Sequence, residues 1–275
     1  MERAENKKKP WMKYRHRVVR DIAYAVMYPY TRLKYNIKID KFKEQGNRPY
    51  LILMNHQTAF DQFFVGMAFR GPVYYVASED LFSNGWISSL LRWLVAPIPI
   101  KKQTSDVGAV KNCIRVAREG GTIAIAPEGN RTYSGRTGYM NPAIAGLARM
   151  LKLPIALFRI EGGYGVHPRW SDVVRRGRMR AYVSRVIEPE EFAGLSKAEL
   201  ESVIERGLYV DEGVAEGRAQ AGELIGGDFG DPQAYAALDC VVEFVGECVS
   251  RGGVGRKSFG GDVGEGAGLL DDARR

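Results

Sequence analysis

Long apolar runs are missing from this chain. Among its 275 residues no uninterrupted stretch reaches the roughly 18 apolar residues that mark a membrane-crossing helix. The longest candidate, Trp86 to Ile100, is broken by Arg92, Pro97 and Pro99. A polytopic membrane protein is therefore excluded. Cysteine is scarce: Cys113, Cys240 and Cys248 are an odd set with no metal-ligand spacing, which argues for a reducing, cytosolic compartment rather than a disulfide scaffold. The three histidines, His16, His56 and His167, show no metal-ligand spacing either, so no metal site is expected. The charged N-terminus leads into no secretory cleavage pattern. A Gly-x-Ser-x-Gly nucleophile elbow is absent. So are zinc-finger, helix-turn-helix and RNA-recognition signatures, and no nucleic-acid partner is expected.

What the chain does have is positive charge, unevenly spread. The net charge is +8, yet residues 211–275 carry 6 basic and 13 acidic side chains, leaving +15 on the first 210. A basic body attracts a polyanion: nucleic acid, an anionic membrane surface or an acidic carrier protein. Residues 1–20 hold 8 basic side chains against 2 acidic ones. Behind them Trp11, Tyr14, Val18, Ile22, Ala25 and Val26 recur at helical spacing, with Lys13, Arg17, Arg20 and Tyr24 off that stripe. Such a helix lies in a membrane interface, or packs on the domain with a solvated basic face. A second cluster, Arg169, Arg175, Arg176, Arg178 and Arg180, reads as a contact for lipid headgroups or a carrier protein, or as a solvated hairpin.

Apolar runs and helical periods alternate through the middle of the chain. Strands are expected at 49–55, 73–77, 96–100, 122–126 and 154–160, and helices at 60–70, 81–94, 104–119 and 143–151. This order predicts an α/β fold, with a mixed, largely parallel sheet covered by helices and its ligand site beyond the strand carboxyl ends. The expected organisation is a basic amphipathic helical segment over 1–30, a catalytic domain over 31–210, and an extension over 211–275 that holds 15 of the 32 glycines. That extension is expected to be partly helical, over 234–249, or disordered.

Two polar loops follow strands. In the first, His56 and Asp61 stand five positions apart at a strand-to-helix junction. Neutral imidazole accepts a proton near neutral pH, and a carboxylate on its other nitrogen fixes the tautomer. No nucleophile of the protein accompanies the pair, so the attacking group is expected to be a substrate hydroxyl, or water in a thioester hydrolase. A bare structural hydrogen bond is the other reading. The second loop runs Pro127-Glu128-Gly129-Asn130-Arg131-Thr132. Gly129 lets backbone amides approach an anion, Arg131 offers bidentate phosphate binding, and Glu128 fits as the anchor of Arg131 or of a loop amide. Lys101, after Pro99 and Ile100, adds positive charge to the same site or is solvated.

In this order and spacing, Asn55-His56 to Asp61, Pro99-Ile100-Lys101, Pro127 to Thr132 and Leu153-Pro154-Ile155 resemble the four motifs of the glycerolipid acyltransferase family, over roughly residues 30–209. Lys101 stands where that family usually has Arg, Asn130 and Thr132 replace Thr and Ser, and the fourth motif lacks its second Pro. The resemblance implies transfer of a fatty acyl group from acyl-CoA or acyl-carrier protein to a glycerophosphate-type hydroxyl such as that of lysophosphatidic acid. It implies His56 and Asp61 as catalytic residues, with Asn55, Lys101, Glu128, Gly129 and Arg131 binding substrate. No cofactor is implied, since the acyl thioester enters as a substrate. The expected partners are that donor, a lysophospholipid acceptor and an anionic membrane surface, with the enzyme peripheral on the cytoplasmic face of the cell membrane.

Overall fold

A computed structural model describes residues 10–79, 85–101 and 106–212. The expected helix over 234–249 and nearly all of the glycine-rich extension lie outside the described residues. The elements in chain order are α1 (Tyr14–Tyr35), β1 (Ile37–Ile39), β2 (Leu51–Met54), α2 (Asp61–Ala68), β3 (Val73–Ser78), α3 (Gly85–Val95), β4 (Ile98–Ile100), α4 (Val107–Arg118), β5 (Thr122–Ile125), α5 (Ala143–Leu151), β6 (Ile155–Glu161), α6 (Gly163–Val166), β7 (Met179–Ile187), α7 (Pro189–Ala193) and α8 (Lys197–Leu208).

The seven strands form one sheet in the order β1-β7-β6-β2-β5-β3-β4. β2 lies at its centre, parallel to both β5 and β6. β3 and β4 continue the parallel run, whereas β7 is antiparallel to β6 and carries β1 parallel to itself. The expected α/β fold with a mixed, largely parallel sheet is what the chain adopts.

Central position explains the composition of β2, β5 and β6. A strand covered on both faces has no wet side, so apolar residues run without alternation. All four residues of β2 and of β5 are buried. Alternate residues feed two cores. Ile52, Met54, Ala124, Ala156 and Phe158 point to one face, where α1 and α2 supply Met27, Tyr30, Tyr35, Phe64 and Val65. Leu51, Leu53, Ile123, Ile125, Ile155 and Leu157 point to the other, under α4, α5 and α8. Each fully buried Leu, Ile or Phe stabilises the fold by about 1.5–3 kcal/mol relative to an exposed one. Thr58 aside, the polar groups that share this burial near the sheet's end are Asn55, Gln57 and Asp61, and all belong to the site described below.

The N-terminal helix extends beyond its expected boundary, and of the two orientations open to it the apolar stripe takes the outward one. It runs past residue 30 to Tyr35, which is buried with Tyr30, Met27 and Thr31. Asn36 in the left-handed region ends it. The stripe singled out by its spacing is the outward one: Tyr14 is 80% exposed, Ile22 60%, and Val18, Val26 and Leu33 are also exposed. Trp11 does not share that stripe; it is clamped by its indole N–H to the Ala96 carbonyl and by its backbone N–H to Glu119. Helix α3, packed against α1, exposes Trp86, Leu90, Trp93 and Val95. Among the described residues no helix is long and apolar enough to cross a membrane.

Candidate active site

Parallel neighbours end on the same side, so the sheet order assembles the site. β5, β2 and β6 are adjacent, and their carboxyl ends deliver the Pro127–Gly138 loop, the His56 loop and the turn at Gly162 side by side. The His56 Nδ1 lies 2.8 Å from Asp61 Oδ2. Asp61 is the first residue of α2 and fully buried. Its carboxylate also accepts the backbone N–H groups of Gln57 and Thr58 and the Thr58 hydroxyl, at 2.7–3.0 Å. A carboxylate in the first turn of a helix is further favoured by the helix dipole. With Asp61 ionised, Nδ1 carries the proton and Nε2 is left as the acceptor.

The second loop is tied to His56 through the backbone. Glu128 accepts the His56 N–H on one oxygen (2.8 Å) and the Gly138 N–H on the other (2.7 Å). The Thr132 N–H donates to the His56 carbonyl at 2.8 Å. Burial, more than the opposing pull of these amides and of His56, holds the Glu128 carboxyl above its usual range. Arg131 is half-buried, and burial followed by the Arg169 charge pushes its guanidinium below the usual value. Asp61 and Tyr35 act on Arg131 in the opposite sense, which puts it in the electrostatic field of the His56–Asp61 pair.

Three expected substrate contacts take other places in the structure, and Glu128 takes one of the two roles its position suggested. Asn55 is fully buried and exchanges two 2.8 Å hydrogen bonds with the backbone of Ile160; it staples β2 to β6 instead of facing substrate. Glu128 has both oxygens on backbone amides, the second of the two roles its position suggested. The Gly129 N–H donates to the Ala126 carbonyl (3.0 Å), so what Gly129 supplies is its φ of +67° in a tight turn. Lys101 follows β4, which is separated from β5 by β3, about 10 Å at a strand spacing near 4.8 Å; its backbone N–H donates to Asp106. Of the predicted residues, the structure brings His56, Asp61, Glu128, Gly129 and Arg131 together and leaves Lys101 to one side.

This arrangement of a buried Asp, a half-exposed His and a cation-bearing loop across two parallel strands falls within residues 34–160, which match the family model described as Acyltransferase. Those residues are an acyltransferase domain. The chain is 25% identical over 151 residues to the 1-acyl-sn-glycerol-3-phosphate acyltransferase of Bacillus subtilis (strain 168), covering 54% of this chain and 72% of that one. It is 22% identical to the chloroplastic 1-acyl-sn-glycerol-3-phosphate acyltransferase LPAT1 of Arabidopsis thaliana over 64% of this chain, which spans about half (49%) of the plant protein. The crystal structure of PlsC, the 1-acyl-sn-glycerophosphate (LPA) acyltransferase from Thermotoga maritima, shares the fold at a TM-score of 0.58 and 20% identity, over 76% of this chain and 83% of that one.

Further residues of this acyltransferase border the site outside the motifs, and of these only Arg169 belongs to a cluster the sequence singled out. Tyr35, at the end of α1, approaches His167 Nδ1 with its hydroxyl (3.4 Å) and stands in the field of Asp61 and Arg131. The Arg169 Nη1 donates to the Arg131 carbonyl at 3.3 Å. Glu212, two residues past the expected domain end, is buried and accepts the backbone N–H groups of Gly162 (2.5 Å), Tyr164 (3.0 Å) and Gly165 (3.3 Å). Its own N–H donates to Gly135 of the second loop. The turn is packed so tightly that a Cβ at Gly163 would stand 2.6 Å from that of Gln57.

Burial raises the Glu212 carboxyl above its ordinary value of 4.5, outweighing the three amides. A folded-state value above the unfolded one favours the protonated form in the fold. That contribution is complete below the unfolded value and is lost as pH rises through the folded one. Glu212→Gln keeps an acceptor oxygen and removes the titration. The melting temperature of the variant minus that of the wild type is therefore expected to become more positive between about pH 4 and pH 7. Thermal melts across that range check this, and a constant difference would contradict it.

Proposed function

We propose that this acyltransferase moves a fatty acyl group from acyl-CoA or acyl-carrier protein to the hydroxyl of a glycerophosphate-type acceptor, lysophosphatidic acid first among them. His56 Nε2 takes the proton of the acceptor hydroxyl. The hydroxyl oxygen attacks the thioester carbonyl directly, and the tetrahedral intermediate collapses with cleavage of the C–S bond. The departing thiolate takes the proton back from His56. Asp61 holds the imidazole in the required tautomer and stabilises its cation; Arg131 binds the acceptor phosphate. Proton transfer and charge stabilisation are all that this chemistry asks for, and side chains supply both, so no cofactor is required. The observation that carries the reading is the 2.8 Å contact between His56 Nδ1 and a fully buried Asp61, in the field of a half-buried Arg131 that has no carboxylate ion-pair partner among the described residues. The names of the relatives support the acceptor.

The test is an assay of purified protein with acyl-CoA or acyl-carrier-protein donors, following thiol release and lipid product together, with lysophosphatidic acid, glycerol-3-phosphate or no acceptor. Acceptor-dependent product supports the reading. Thiol release without acceptor would replace it with a thioesterase.

The lysophospholipid acceptor and its acylated product partition into bilayers, so the reading puts the enzyme peripherally on the cytoplasmic face of the cell membrane. The outward stripe of α1 and the neighbouring α3 tryptophans form the contact, flanked by the exposed Lys13 and Arg17. Burying one large apolar side chain is worth about 1.5–3 kcal/mol. Ile22→Glu and Trp86→Glu, both at well-exposed positions (60% and 69%), are each expected to weaken binding to phosphatidylglycerol vesicles about tenfold or more without lowering the melting temperature. Vesicle co-sedimentation measures this; unchanged binding in both variants would move the contact elsewhere.

A further inference from the structure

The acceptor proposed above bears a phosphomonoester, which carries close to two negative charges at neutral pH, whereas a phosphodiester carries one. Arg131 alone matches only a single charge. The turn that follows β6 brings a second guanidinium to the same loop. Gly162, at φ +83°, redirects the chain; Glu212 holds the amides of Gly162, Tyr164 and Gly165; and the Tyr164 ring lies so close to the second loop that a Cβ at Gly135 would stand 2.7 Å from it. A Pro168–Ser171 turn then carries Arg169 onto the Arg131 carbonyl. Among the described residues neither guanidinium forms an ion pair. The nearby Asp61 carboxylate is otherwise engaged, by His56, Gln57 and Thr58. Lys34 adds positive charge to the same region, and with burial and Arg131 it disfavours the charged form of His167. The Arg169 charge bears on the half-buried Arg131 guanidinium, and an anion bound between the two offsets that repulsion.

We propose that Arg169 is a second phosphate-binding residue of this site, and that the Arg131–Arg169 pair selects phosphomonoester acceptors over phosphodiester lysophospholipids. The inference rests on the acyl-transfer reading and names the acceptor class that reading leaves open. Arg131 sits on the loop fixed to His56, and Arg169 on the turn beyond β6. The phosphate bridges the two elements and orders both around the reacting hydroxyl.

The test compares wild type, Arg169→Lys and Arg169→Gln with lysophosphatidic acid as monoester and lysophosphatidylglycerol as diester. Calorimetry of sn-glycerol-3-phosphate binding to the same proteins runs in parallel. In Arg169→Gln, KM for lysophosphatidic acid is expected to rise about tenfold or more, in line with the loss of a charge-assisted hydrogen bond. Its kcat is expected to stay within about threefold and the KM for lysophosphatidylglycerol to change less. Arg169→Lys, which keeps the charge, recovers most of the monoester preference. Equal losses on both acceptors, or a lower kcat at unchanged KM together with a lower melting temperature, would make Arg169 a clip on the loop and overturn the proposal. If wild-type protein acylates neither acceptor, the acyl-transfer reading fails, and calorimetry alone decides: weaker glycerol-3-phosphate binding in Arg169→Gln upholds the phosphate site, and equal binding overturns it.

Discussion

His56→Ala is expected to lower turnover by about 10²–10⁴-fold and to leave the melting temperature close to that of the wild type. The two halves of this result have separate causes. Turnover falls because the imidazole is the group positioned to receive the hydroxyl proton. Its Nδ1 is held at 2.8 Å by a carboxylate with no solvent exposure, which leaves Nε2 as the ring nitrogen not bonded to Asp61. Stability holds because the imidazole is not a structural member of the loop: it is partly exposed (23%), and its ring contacts Asp61 alone among the side-chain hydrogen bonds of the site. The backbone of residue 56, bonded to Glu128 and Thr132, is untouched by the substitution. Single-turnover kinetics beside a thermal melt separate the two. Turnover within tenfold of wild type would remove His56 from the mechanism.

Asp61→Ala is expected to be the more damaging change, because it strikes activity and fold together. The carboxylate satisfies the N–H groups of Gln57 and Thr58, the Thr58 hydroxyl and His56 Nδ1. Alanine leaves these donors in a buried place without an acceptor, at about 1–3 kcal/mol each before relaxation, and removes a favourable charge from the first turn of α2. A net loss of about 3–5 kcal/mol and a turnover loss as large as that of His56→Ala are expected. The double variant should be no slower than His56→Ala alone, since the two residues act as a unit. Asp61→Asn keeps one acceptor oxygen and should recover much of the stability but little of the rate. Denaturant unfolding with kcat for the four proteins measures all of this. A double variant slower than the single one by the full factor again would mean that Asp61 acts independently of His56.

The parts of this molecule that were legible in its sequence are those whose causes are local. β2, β5 and β6 are buried on both faces, and their apolar runs are continuous. Helix α5 falls at the expected residues, 143–151. β7 was not legible: it lies toward the sheet edge, its Arg180 and Arg185 are exposed, and it reads as a basic hairpin. His56 and Asp61 were legible because one turn spans them. The roles of Asn55, Gly129 and Lys101 were not, because they depend on which strand is neighbour to which. Asn55 finds its partner 105 residues away, and β3 intervenes between Lys101 and the second loop. Glu212 reaches its amides across about fifty positions, with no periodicity to signal it. On α1 the period was legible but not the side: a stripe facing outward has the same spacing as one facing the core.

Both backbone polar atoms of His56 are bonded to the second loop, its N–H to Glu128 and its carbonyl to the N–H of Thr132. His56 and the loop bearing Arg131 are thus tied into one piece. Under the proposed reaction the span from imidazole to guanidinium is a caliper for the number of bonds between hydroxyl and phosphate, and its gauge is set by the Thr132 amide and the Glu128 carboxylate, out of reach of substitutions at the exposed Tyr133 or Ser134.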